Sequence, residues 1–507
     1  MIERLTAWLV AGVVGSCVFS ATSFGQTTIY VDKSNPGCPG SGTEADPFCL
    51  IQDGIDAASD GNTVVVRSGT YLENINMRGK RVTLLSFKGA DETIIDGQAR
   101  APVILCESGE TSETIVQGFT LQNGIGKRHP PYDRLGGGGV HAWDAALSLI
   151  DCKVLNNVGG DGSGGGALFG GRDRLAVARG CVFEGNSSAY GAGLHVFIGA
   201  RAHIENCRLS YNRATKDGGG LTLNDESLAV VVGCLMTGNR ADRRAGGLQL
   251  DNTHGTIVNC TISGNTTGSG GGVWAFDNQQ SKILNSIIWG NSPQEIRFDS
   301  GTLDVQHSDV RGGWPGTGNI QLDPQFIDAA SGDFRLACTS PCVDTGTNAT
   351  GLPMPRFDLS GLDNRIIGTL DVGADELGVD WTLQGTVGPG TLASFSARAS
   401  SEHPPFMVGE VYLSLGDGSI GGGIPVPLAG GRRLGLEVDS LLAAWLSLSA
   451  FRQVTTLNGC SGASTLPFTI PPTAPVGVQF YYAGVAWDLA TSDVTSISET
   501  KKAVTQQ

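Results

Sequence analysis

The chain has 507 residues, 75 of them glycine, with 16% charged and 7% aromatic residues and a formal net charge of −15. This length is too great for one ordinary globular core, and the glycine content with so few charges favours short strands and tight turns over helices. A hydrophobic share of 40% argues against wholesale disorder, and the acidic balance, without any basic run, argues against a nucleic-acid partner.

Residues 1–25 read as an export signal: Arg4 supplies a positive start, Leu5 to Val18 is apolar but too short to span a bilayer, and Ser23-Phe24-Gly25 offers small residues at a cleavage site. Val14-Gly15-Ser16-Cys17 gives a competing reading as a lipobox with Cys17 lipidated, although a cleaved signal accounts for the whole stretch. A secreted or cell-surface protein is expected, and no later segment is apolar enough for a transmembrane helix. Residues 26–63 are expected to form an N-terminal cap. Within them Cys38 and Cys49 flank a turn-rich loop and are the pair expected to be bridged after export. Gln52 to Ser59 reads as a short amphipathic helix that covers the open edge of the first rung. Early rungs follow at Val64-Val65-Val66, Val82-Thr83-Leu84 and Thr93-Ile94-Ile95.

A repeat then dominates the chain. CKVLNN, CVFEGN, CRLSYN, CLMTGN, CTISGN and SIIWGN begin at Cys152, Cys181, Cys207, Cys234, Cys260 and Ser286, and each ends in asparagine: Asn157, Asn186, Asn212, Asn239, Asn265 and Asn291. A glycine corner and two further short apolar stretches complete each unit of about 26 residues. Three alternating strands per unit cannot bury their inner faces alone, so the units must stack, each about 4.8 Å above the last. The expected fold is therefore all-β, a parallel β-helix over residues 64–310 with three strands per coil. An asparagine column at a turn can bond the coils above and below. The cysteine column reads as small buried hydrophobes rather than a metal site, because single cysteines in a line do not converge on a point. Phe119 to Asn123 takes the block position ahead of Cys152, with the loop through Lys127 to Arg134 inserted after it, and His307 to Val310 is a last shortened rung.

IYVDKSN followed by IQDGIDAASDGNTVVVRSGTY resembles the cap and first coil of pectin-lyase-like right-handed β-helix proteins. Residues 285–376 are similar to the choice-of-anchor Q domain of bacterial surface and secreted β-helix proteins, through NSIIWGNS, HSDVRGG, GTGNIQLDPQFID, SPCVDTG, FDLSGLDNR and DVGADE. Residues 380–507, with YLSLG, IPVPLAGGRRLGLEVD and LPFTIPPTAPVGVQFYYAG, resemble a small C-terminal β-sandwich module of exported bacterial proteins. The pairing of Cys106, Cys338, Cys342 and Cys460 is left open.

Such a fold hosts lyases, esterases, glycosidases and adhesins, so chemistry must be argued from a site. In the strand after the glycine corner one outward column runs Leu168, His195, Thr222, Gln249 and Trp274, and the next runs Gly170, Phe197, Asn224, Asp251 and Phe276. His195, Phe197, Asn224, Gln249, Asp251, Trp274 and Phe276 could stack on and hydrogen-bond a sugar chain, without the paired acids of a hydrolase. The reading is a monomeric, non-catalytic exported β-helix that binds polysaccharide or cell-surface glycan. The alternative is a polysaccharide lyase on uronate polymers, with calcium on Asp225, Asp251 and Asp277 and an arginine (Arg208, Arg240 or the Arg243-Arg244 pair) as base. Against the calcium set stands the ordinary preference of acids for turns.

Overall fold

The computed structural model describes residues 27–129, 134–337, 339–354, 359 and 370–375, together with eight strands between 380 and 504. The export signal, Cys17, Cys338, Cys460 and residues 130–133 of the inserted loop lie outside them. Residues 28 to 310 form a parallel β-solenoid with four sheets of ten, seven, nine and eleven strands. One coil shows the plan. Arg208–Ser210 follows Cys207 in the first sheet, Arg213–Asp217 follows Asn212 in the second, Leu221–Asn224 leaves the glycine corner in the third, and Leu228–Val232 in the fourth leads back to Cys234. The three expected strands are all present, and the second sheet is the addition. Its strands are polar and rich in arginine or glycine, so no apolar alternation marks them in the sequence.

Register explains the core. Ile29, in the end strand of its sheet, stacks on Val64, and the column continues through Leu84, Val116, Leu149, Ala178, Ile204, Val231, Ile257, Ile283 and Val305. All of these are buried, each large aliphatic contributing roughly 1.5–3 kcal/mol before ordering entropy is subtracted. Thr28–Val31 is thus already a rung, within the segment expected to serve only as cap. The helix Ile51–Ala57 covers this edge with Ile51 and Ile55. Its ends are satisfied from the next coil: Glu73 accepts from the Ile51 and Gln52 amides, and Lys80 Nζ donates to the carbonyls of Ile55, Asp56 and Ala58. Cys38 and Cys49 are joined by a disulfide.

The asparagine column is a continuous ladder. From Asn186 on, each Oδ1 accepts both the backbone N–H and the side-chain Nδ2 of the asparagine one coil before, as Asn212 does for Asn186 at 3.0 Å each, while each Nδ2 also donates to a strand carbonyl one coil back, as Asn212 Nδ2 does to Phe183 O. At its start the Gly124 amide donates to Asn157 Oδ1 at 2.7 Å. At its end Glu295 takes the place of a seventh asparagine, accepting from Gly290 N, Asn291 N and Asn291 Nδ2. Burial of Glu295 raises its carboxyl above the ordinary glutamate range, against the pull of those donors.

The cysteine thiols are buried and free, and they also hydrogen-bond. The amides of Cys207 and Cys234 donate to the sulfur one coil on at 3.4 Å, and Cys260 and Ser286 continue the pattern onto the hydroxyls of Ser286 and Ser308 at 3.1 Å. Each thiol or hydroxyl donates to the carbonyl two residues before it, as Cys234 to Val232 and Ser286 to Leu284. Since serine already performs this role on two coils, Cys234→Ser is expected to destabilise by only about 1 kcal/mol in urea denaturation. A loss several times larger would mean that sulfur packing, not the hydrogen bond, decides the column.

Beyond the last rung the chain folds back over the outside. Asn285 exchanges hydrogen bonds with the backbone of Thr347, Asn259 Nδ2 donates to the Asp371 carbonyl, and Leu352 and Met354 pack on Val232, Val258 and Leu284. This places Cys342, buried, against Asp309 of the last rung, its thiol donating to Oδ2 at 3.3 Å. Between 380 and 504 the eight strands pair antiparallel into sheets of three and five.

Candidate functional site

The third sheet sets the geometry of the candidate strip. In Leu221–Asn224, Leu221 and Leu223 enter the core, so Thr222 and Asn224 face outward. The first outward column is in register through His141, Leu168, His195, Thr222, Gln249, Trp274 and Arg297. From His141 to Trp274 it is buried, with exposures of 0–4%. The cause lies at the glycine corner. Gly191 and Gly218 have φ of +56° and +72°, and a Cβ on them would meet His195 or overlap Thr222 Oγ1. His141, Leu168, His195, Thr222 and Trp274 each lie down against a left-handed glycine at the corner, and Gln249 follows Ala245, which takes the same left-handed conformation at φ +54°. His195, Gln249 and Trp274 are structural corner residues, not a free stacking surface.

The second column is the accessible one. Phe197, Asn224 and Asp251 are half-buried and Phe276 is 43% exposed. Buried neighbours position them: His195 Nε2 bonds Asn224 Oδ1 at 2.7 Å and its ring packs on Phe197 at 5.1 Å. Phe276 stacks flat on Trp274 at 5.5 Å, and Trp274 Nε1 donates to Asp299 at 2.8 Å. The Arg244 guanidinium covers the Trp274 ring at 4.7 Å. Arg297 holds the Asp299 carboxyl below the usual range.

Asp251 is pushed up to about 6, first by burial and then by the Asp225 carboxylate. Asp225 is raised as well, by burial and by Glu226. Asp225, Asn252 and Asp277 occupy one column of left-handed corner residues, with φ of 51°, 48° and 45°, so Asp225 and Asp277 stand two coils apart. Among the described residues no three His, Cys, Asp or Glu side chains are grouped to hold a metal ion. The geometry accordingly accounts for Asp225 and Asp277 as turn formers.

The inserted loop forms an antiparallel hairpin, Lys127–His129 with Arg134–Gly136, that opens the second sheet. Beside it lies a depression of about 320 Å3 lined by Asn74, Asn76, Arg100, Pro102, Leu105 and Lys127. The sequence had marked this loop for its insertion alone; the depression draws on residues from two earlier coils that no local pattern connects. Among the described residues no helix is long and apolar enough to cross a membrane.

Residues 138–310 match the family model described as right handed beta helix region. The match covers the regular coils from the glycine corner before Val140 to the last rung, and with the stacked sheets it identifies the fold as a right-handed parallel β-helix. No curated protein and no solved structure shows significant similarity to the chain.

Proposed function

We propose that this right-handed β-helix protein is exported or held at the cell surface, is non-catalytic, and binds a glycan along its flank on the strip Phe197, Asn224, Asp251 and Phe276. The observation that carries the reading is the register of that strip. An aromatic ring, an amide, a carboxylate and a second ring stand on four successive coils, rising about 4.8 Å per coil, while the column beside them is buried. Aromatic faces stack on the apolar faces of sugars, and amide and carboxylate groups accept and donate to hydroxyls.

A glycan array probed with the full chain tests this. Phe276→Ala is expected to weaken the bound glycan roughly fivefold, about 1 kcal/mol, without changing the melting temperature, because the ring is partly exposed. Absence of binding to any glycan would overturn the reading.

The second reading, a calcium-dependent lyase on uronate polymers, draws on the mutual repulsion of Asp251 and Asp225, which a cation would relieve. It expects ultraviolet absorbance of unsaturated uronate to grow on pectin or alginate with calcium and to vanish in Asp251→Asn. That outcome would displace the non-catalytic reading.

A further inference from the structure

We infer that the second sheet is a docking surface for a polysaccharide carrying sulfate esters, lying beside the glycan strip; this rests on the glycan-binding reading and names the class of glycan. The charge distribution among the four sheets is the starting point. The strands of the second sheet contain eight lysines and arginines against three aspartates. The third sheet has one basic and one acidic residue, the first two and three, and the fourth three and two. A protein of net charge −15 thus gathers on one face eight of the fourteen lysines and arginines of the solenoid's strands.

Within that face the charge is concentrated on two successive coils, Arg213–Asp217 and Arg240–Arg244. Arg213 and Arg240 are in register, one coil apart, a like-charge arrangement that destabilises a sheet unless an anion relieves it. The protein supplies little relief. Both share the single carboxylate of Asp242, at 3.6 and 3.4 Å, and remain 61% and 63% exposed at the side chain. Asp217 is taken by Arg243. Lys216 and Arg244 rest on aromatic rings, Tyr190 at 4.9 Å and Trp274 at 4.7 Å, which fixes them without neutralising Lys216; Arg244 also lies near the carboxylates of Asp251 and Asp299. Arg244 lies over the same Trp274 on which Phe276 stacks, so the basic face and the glycan strip meet at one edge.

A guanidinium is more weakly hydrated than an ammonium and presents a planar fork of donors. A sulfate ester is a weakly hydrated anion with three equivalent acceptor oxygens, and it stays ionised beside Asp217 and Asp242. A chain carrying one such group every sugar or two can follow the stacked arginines along the solenoid axis, since a coil advances by about the length of one pyranose.

The test measures binding of the full chain to a sulfated galactan, to the same galactan after desulfation, and to alginate, over a range of salt. The sulfated polymer is expected to bind at least tenfold more tightly than either other polymer at low salt, with affinity falling steeply as salt rises. In the double variant Arg213→Gln, Arg240→Gln the affinity for the sulfated galactan is expected to fall tenfold or more and the slope against log salt to flatten by about two. Binding of the desulfated chain should stay unchanged, and an unaltered circular dichroism melt shows that the fold is intact. Equal affinity for sulfated and desulfated galactan, alginate binding as tightly as the sulfated chain, or a double variant indistinguishable from wild type would each overturn the inference while leaving the glycan strip standing. Loss of all three polymers from the wild-type chain would instead sink the glycan reading itself.

Discussion

Asn212→Ala is expected to lower the unfolding free energy by about 4 kcal/mol, a large loss for one side chain. Asn212 is fully buried in the middle of the ladder. Its Oδ1 accepts from Asn186 N and Asn186 Nδ2, its Nδ2 donates to Phe183 O and Asn239 Oδ1, and its own backbone amide donates to Asn239 Oδ1. Alanine keeps the last of these and removes the rest, leaving buried groups of Asn186 and Phe183 short of a partner where no solvent reaches. A void comes with it, and the ordered coil cannot collapse into it because its neighbours above and below fix the spacing. Since coils contact mainly their neighbours, the damage should be local at first. Amide hydrogen exchange is expected to show lost protection from about Phe183 to Asn239, with the N-terminal coils less affected. Arg213→Ala, the exposed residue next along, is the control and should lie within about 0.5 kcal/mol of wild type in urea denaturation. If Asn212→Ala also fell within 1 kcal/mol, the ladder would be a consequence of stacking rather than one of its causes.

What the sequence makes legible follows from the same physics. Stacking imprints one residue type on each column, so Cys152 to Cys260 and Asn157 to Asn291 announce the coil period directly. Features that close or cap the stack occur once and leave no period. Glu295 ends the ladder from a position four residues after Asn291. Glu73 and Lys80, which satisfy the ends of the helix Ile51–Ala57, are more than twenty residues away from it and could not have been assigned by local capping rules. The strip was half legible. Alternation sorted outward from inward residues correctly, yet it could not tell that His195, Gln249 and Trp274 lie down over the corner, because that depends on left-handed Gly191 and its equivalents and not on the strand. The second sheet was invisible to hydrophobic patterning for the reason that makes it of interest: its outward positions are charged.

Asp309 is expected to make the protein more stable as pH falls from 7.5 towards 4.5. Its carboxyl is fully buried and is pushed up to about 6, chiefly by burial, although the Cys342 thiol and the Leu322 amide donate to it. An unfolded aspartate titrates near 3.9, so a difference of about two units corresponds to roughly 3 kcal/mol. Because the folded value is the higher one, the folded state holds the proton more tightly. The contribution is complete below the unfolded value and is lost as pH rises through about 6, so the gain appears between those two limits. Asp299 and Asp333, whose carboxyls are lowered by Arg297 and Arg335, act in the opposite sense only at more acidic pH, where they become protonated. The other raised carboxyls, Glu73, Asp225, Asp251 and Glu295, share the sign of Asp309, so its share must be isolated by substitution. Asp309→Asn keeps an acceptor for Leu322 N and removes the charge; it should therefore match the acid-side stability of the wild type and exceed it at pH 7.5. Urea midpoints of both proteins at pH 7.5, 6.0 and 4.5 decide the matter, and parallel curves would show that Asp309 is hydrated or paired in a way that removes the burial penalty. The position of the residue gives the result its meaning. Asp309 stands where the returning segment closes on the last rung through Cys342 and Leu322, so a charge there at neutral pH loosens the contact that seals the C-terminal end of the solenoid.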